Sequence, residues 1–276
     1  MERGEEKVIT SAEQAKQDPT YLQALKELLY QLADDDFLVS FRGSEWLGLA
    51  PHIEEDVAFS SITQNTMGHA LLFYQLLEEL GEGKVDVLAH DRKPSERKNA
   101  IYLEKKNGEG HYTEEPYYDW ALTVVRNYFY ETFKKIKLEA ITKSSYQPLA
   151  NVAGKVLMEQ PYHLAHWKLW FEQLYNSTDD ARARLQTRIA EAWEEFGDVL
   201  ELGPYATEMA HFELMISEVE LRDRWLEEIE LMLGTLPSRT LGKKYGSGRE
   251  GEHTSDLDQA IEIFQDVYVS DEGAVW

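Results

Sequence analysis

Apolar periodicity is the feature that most restricts how this chain can fold. After Asp18-Pro19, the residues Leu25, Leu28, Leu29, Leu32, Phe37 and Phe41 recur at three-to-four spacing, and Pro51 bounds the segment. That is the stripe of one helix face. A second stretch begins in the acidic turn Glu54-Glu55-Asp56, which suits a helix N-terminus. It carries Ala58, Ile62, Asn65, His69, Leu72, Leu76 and Leu80 to a stop at Gly81. A third runs from about Tyr117 to Thr142 with Ala121, Val125, Tyr128, Thr132 and Ile136 inward and Glu131 at the stripe's edge. The fourth follows Pro148 with Leu149, Val152, Val156, His163, Trp167, Trp170 and Leu174, and Pro161 should kink it beside His163. Ser177 and Asp180 offer a capping-box-like start to a fifth helix ending near Val199. Alternation of the β type is scarce, so an all-α fold is expected.

Residues 81–115 break the pattern with Asp91, Arg92, Lys93, Pro94, Asn107, Gly108 and Gly110. A long crossover joining two helical pairs is the connection of a ferritin-like bundle. Beyond Gly203-Pro204, helices are expected near Thr207–Glu218, Glu220–Leu233 and Ser255–Val269, with a Gly-rich, basic loop from Pro237 to Gly251. The expected organisation is a single domain over 1–276, with a bundle core at about 20–200 and a C-terminal helical extension at about 204–276.

Composition narrows the function classes. With 43% hydrophobic residues in 276, the chain can bury a large core. A formal charge of −23 repels phosphate backbones and anionic lipid head groups, so neither nucleic acid nor a membrane surface is an expected partner. The absence of cysteine excludes disulfides, iron–sulfur clusters held by this chain and thiol nucleophiles. No apolar signal core stands at Met1-Glu2-Arg3-Gly4-Glu5-Glu6, and a cytoplasmic location is expected.

A di-metal site inside a four-helix bundle needs a Glu from each of two helices and a Glu-x-x-His pair from each of the other two. Here the pairs are partial. One helix reads Thr66-Met67-Gly68-His69, with a hydroxyl in the carboxylate's place; another reads Glu159-Gln160-Pro161-Tyr162-His163, with Gln160 three residues before the imidazole. His69, Glu131, Glu159 and His163 lie on three helices near mid-length and are the vestigial metal candidates. The alternative is a buried polar network in which they and Asn65 satisfy one another. Glu208-x-x-His211 and Glu250-x-x-His253 fall beside a Gly-Pro break and in a Gly-rich loop, and roughly one such match is expected by chance. Gly242-Lys243-Lys244 lacks the upstream glycine of a phosphate loop. The cations Arg239, Lys243, Lys244 and Arg249 around it read either as a solvated loop or as a contact for an acidic partner or anionic ligand. No Gly-x-Ser-x-Gly element supports an acyl-transfer triad.

Several blocks together resemble the C subunits of the ring-1,2-phenylacetyl-CoA epoxidase, the phenylacetic acid degradation monooxygenase. They are Ala33-Asp34-Asp35-Asp36, Ser44-Glu45-Trp46, Ala50-Pro51 with Glu54 to Ala58, Asn65 to Ala70, Glu159 with Tyr162-His163-Leu164, Gly251-Glu252-His253-Thr254 and Gly273-Ala274-Val275-Trp276. The resemblance spans nearly the whole chain. It implies a non-catalytic, ferritin-like structural subunit that pairs with the di-iron A subunit in aerobic phenylacetate breakdown. A reductase carrying flavin and iron–sulfur groups would deliver electrons from NADPH. It transfers no catalytic or cofactor-binding residue to this sequence, and no cofactor is expected in this chain. His69 departs from the uncharged polar residue that the resemblance leads one to expect. Two other readings stay open: a self-sufficient di-metal oxidase using His69, Glu131, Glu159 and His163, and a helical adaptor unrelated to oxygen chemistry. Stoichiometry, self-association, the contact residues and any contact with phenylacetyl-CoA are not legible in the sequence.

Overall fold

The structure, a computed structural model, describes residues 8–270. It contains twelve α-helices: α1 Ala12–Ala15, α2 Pro19–Ser44, α3 Ile53–Leu80, α4 Val85–His90, α5 Ile101–Glu104, α6 Trp120–Ile141, α7 Gln147–Val156, α8 Gln160–Asn176, α9 Asp179–Glu195, α10 Ala206–His211, α11 Glu218–Leu233 and α12 Ser255–Val269. Among the described residues there is no β-strand, only isolated bridges pairing Ile9 with Tyr146 and Gly108 with Tyr118. No described helix is long and apolar enough to cross a membrane.

The long helices start and stop where local chemistry dictates. Asp18 accepts hydrogen bonds from the Thr20 and Tyr21 amides and Pro19 fills the first turn of α2. The His52 ring accepts from the Glu55 amide at the start of α3, and Gly81, at φ 93°, closes it in the left-handed conformation. Asp119 caps α6 through the Leu122 amide. α2 packs along α3, α6 packs on α7, α8 and α9, and α3 meets α7. The crossover between α3 and α6 is present, as the ferritin-like arrangement expects, but it holds the short helices α4 and α5. α10 packs on α2, α11 on α6 and α12 on α4 and α5. The Trp225 indole of α11 donates to Phe129 O at 3.0 Å.

α2 and α6 are buried on nearly every side, acidic residues included. Successive residues on a helix point about 100° apart, so Asp34, Asp35 and Asp36 reach three different parts of the molecule. Asp34 accepts from Arg92, Tyr74 and the Lys98 amide in and beside the crossover. Asp35 takes a two-pronged bond from Arg249 at 2.7 and 2.8 Å and another from the Ala100 amide. Asp36 faces α6. Burial opposes charge on Asp34, yet Arg92 and Arg97 hold its carboxyl below the usual range.

Four expectations are corrected. The fourth helix is two helices, because Pro161 cannot donate to the preceding turn and instead opens α8 after the turn Leu157–Glu159. The fifth is capped by Thr178, not Ser177, and yields to a 3-10 turn at Phe196. The helix expected over 207–218 ends at His211, since Glu213 takes a left-handed φ of 54° and the Leu214 amide folds back onto Met209 O. Arg249 belongs to no solvated loop: it is fully buried on Asp35. The loop's other cations pair within the chain, Lys243 with Glu201, Lys244 with Glu194 and Arg239 with Glu230.

Candidate functional site

The fold brings His69, Glu131, Glu159 and His163 to one place between α3, α6 and the α7–α8 turn. His69 Nε2 lies 2.9 Å from Glu159, and the His69 and His163 rings are 5.8 Å apart. His163 Nδ1 stands 3.7 Å from Glu131 Oε1, an ion-pair distance too long for a hydrogen bond. Glu131 is fully buried, not at the edge of its stripe, and accepts from the Gln160 side chain. Glu159 alone of the four is half exposed, so the cluster reaches solvent at that carboxylate.

Three members, Lys134, Asp36 and Tyr130, were missed as site residues in the sequence. Lys134, one turn past Glu131, places its ammonium between Asp36 at 2.7 Å and His69 Nδ1 at 3.0 Å. Asp36 also accepts from the Tyr130 hydroxyl at 2.7 Å. Because Lys134 donates to Nδ1, the neutral His69 ring carries its proton on Nε2 and donates it to Glu159. A chain of bonds thus runs from the surface through Glu159, His69, Lys134 and Asp36 to Tyr130. Each of four bundle segments contributes: Asp36 on α2, Thr66-x-x-His69 on α3, Glu131-x-x-Lys134 on α6 and Gln160-x-x-His163 at the head of α8. A polar Asp within the buried side of α2 and a Lys one turn past Glu131 on the same face of α6 were the available signals.

Electrostatics follow from burial and from that ammonium. Burial first, then Lys134 and His163, push His69 down to about 2. Burial works against charge on Glu131, but Lys134, His163 and Gln160 keep its carboxyl below the usual range. For Asp36 burial wins over Lys134 and Tyr130, and its carboxyl is raised. One turn on, Lys137 is buried with no hydrogen-bond partner for Nζ, and burial, then Arg249, lowers it to about 7.

The mutually satisfied network expected from sequence is only partly formed. Asn65 is half-buried and takes no part in it, and neither His163 ring nitrogen nor Glu131 Oε1 has a hydrogen-bond partner among the protein atoms. Among the described residues, no three His, Asp or Glu side chains converge as a metal-holding group. The two Glu-x-x-His matches lie elsewhere. His253 contacts Glu104 and Arg97 O, tying the segment before α12 to the crossover, and His211 is exposed at the end of α10.

The model of the phenylacetic acid catabolic protein family matches residues 5–276. The chain belongs to that family. A curated relative, the C subunit of the 1,2-phenylacetyl-CoA epoxidase of Escherichia coli (strain K12), is 28% identical over 233 residues, covering 82% of this chain and 89% of that protein. In this member of the phenylacetic acid catabolic proteins, the blocks that carried the resemblance have physical work. Asp34 to Asp36 anchor three segments, and the Gly251–Thr254 turn closes on Glu104. The terminal Gly273-Ala274-Val275-Trp276 lies outside the described residues.

Proposed function

We propose that this chain is a structural, non-catalytic subunit of a phenylacetyl-CoA 1,2-epoxidase, and that it pairs with and supports the di-iron catalytic subunit in aerobic phenylacetate catabolism. The observation that carries the reading is Lys134. Its ammonium, carried by α6, is bonded to Asp36 on α2 and to His69 on α3. A cation there repels a metal ion and takes up a nitrogen and a carboxylate that an ion would need. Thr66 and Gln160 stand where two further carboxylates of a complete ligand set would be. The donor set therefore does not fit a pair of irons, and no oxygen chemistry is derived through it.

The fold fits a supporting role. An interior held by charge pairs instead of metal is a fixed helical framework, and a catalytic bundle packed against it gains rigidity at its own helices. The relative's name, an epoxidase subunit, supports partner subunits for this chain as well. The test is turnover: the chain alone, given phenylacetyl-CoA, oxygen and a reductant, is expected to form no epoxide, while addition of the catalytic and reductase subunits restores activity. Epoxide formation by the chain alone overturns the reading.

One observation favours the di-metal oxidase alternative. His163 offers two unpartnered nitrogens beside Glu131 Oε1, and these could hold a single ion. A second ion has no such pair, which separates this from a competent di-iron centre.

A further inference from the structure

α3 carries no Asp, Glu, Lys or Arg between Asp56 and Glu78, in a chain in which 29% of residues are charged. That stretch is not hidden. Val57, Ser61, Gln64, Gly68, Leu71 and Gln75 form an exposed stripe along nearly the whole helix. The solvent side of an ordinary surface helix is its charged side, so this helix lacks the charged face that solvent alone would favour. Beside it, α8 and the turn before it expose Met158, Tyr162, Ala165 and Leu169, with Tyr162 at 78% and Met158 at 68%. The two strips are held side by side by His69 with Glu159 and by Glu55 with His166. Only Lys155, Glu159 and Lys168 bring charge to the exposed positions of residues 151–173. Gly68 and Gly154 add openness, since a Cβ at either would meet nothing within 4 Å.

We infer that this two-helix face, α3 with α7–α8, is the surface on which the chain docks a second helical bundle that is less acidic than itself. The inference rests on the proposed role as a supporting subunit and names where that support is given. Depletion of charge at the centre with scattered aromatic and Met side chains is the composition of an interface core. The size agrees. The uncharged run of α3, residues 57–77, is about 32 Å of helix, and two helix widths of about 10 Å each give a face of roughly 600 Å² per partner, within the range of a stable pair. A second copy is the poorer occupant, because two chains of −23 repel as they approach, whereas a less acidic bundle does not. Docking here also covers Glu159, the one half-exposed end of the interior bond chain.

The test uses the full chain co-expressed with the catalytic subunit, with Ser61→Arg and Gly68→Arg as probes. Both positions are exposed on a regular helix, and circular dichroism and melting temperature check that the variants fold as the parent does. Leu231→Arg, on the exposed face of α11, is the control. The parent and the control are expected to form a one-to-one complex by light scattering. Each face variant is expected to weaken pairing on the order of a hundredfold, since it buries an unpaired charge. If the parent pairs and the face variants pair equally well, the docking face is wrong and the supporting role stands. If the parent does not pair at all, the supporting role falls and this inference with it. Self-association of the parent that Ser61→Arg abolishes overturns the choice of a less acidic partner.

Discussion

Lys134 sets the chemistry of the interior, and its removal should show this. Lys134→Ala leaves Asp36 buried with only Tyr130 as partner, and loss of one member of a buried pair costs about 3–5 kcal/mol. Urea unfolding measures it; a loss below about 1 kcal/mol would place the ammonium in a solvated, dispensable position. Lys137 gives the opposite sign. Its amine is lowered to about 7 in the fold against about 10.4 in the unfolded chain, so between these values only the unfolded chain holds the proton. Its contribution makes stability rise with pH across that window, and the cost is fully present below pH 7. Lys137→Met should stabilise the protein by about 1–3 kcal/mol at neutral pH and flatten that rise. His69 acts at lower pH: lowered from 6.5 to about 2, it leaves the unfolded chain holding the extra proton below 6.5, so stability falls as pH drops through that range. His69→Gln should reduce the acid loss in melts between pH 4 and about 6.5. The surroundings of neither lysine were legible in the sequence, because helical spacing says which side a residue faces but not which neighbouring helix meets it.

The helices were legible to the extent that their ends carry chemistry and their faces differ. α2, α6 and α12 follow from Asp18-Pro19, the run before Thr142 and the Ser255 start. α3 was placed, but its inward stripe is displaced: Phe59, Thr63, Thr66 and Phe73 are buried, while Ala58, Ile62, Asn65 and Leu72 are only half-buried. With no charged side to fix the phase, two registers of the same helix score alike. Arg249 was misread for a different reason. Its partner Asp35 is 214 residues away, and no local pattern announces such a pair. Because Arg249 joins the segment before α12 to α2, Arg249→Met should destabilise the fold by about 3–5 kcal/mol and speed amide exchange across residues 247–257. Lys243→Met, which loses only an exposed pair with Glu201, should stay within about 1 kcal/mol. Equal losses for the two would remove the distinction.

For the molecule as a whole, four bundle segments converge as a metalloprotein's would, while the groups gathered there are an ammonium, three carboxylates and two imidazoles that hold one another or stand apart. The proposed supporting role rests on that arrangement and on the uncharged face of α3. The most direct check is the iron content of the chain purified from iron-supplemented cells, alone and co-expressed with the proposed catalytic partner. The account predicts less than about a tenth of an iron per copy of this chain in both, the complex holding metal only in stoichiometry with the partner. Two irons per copy of the isolated chain would contradict it.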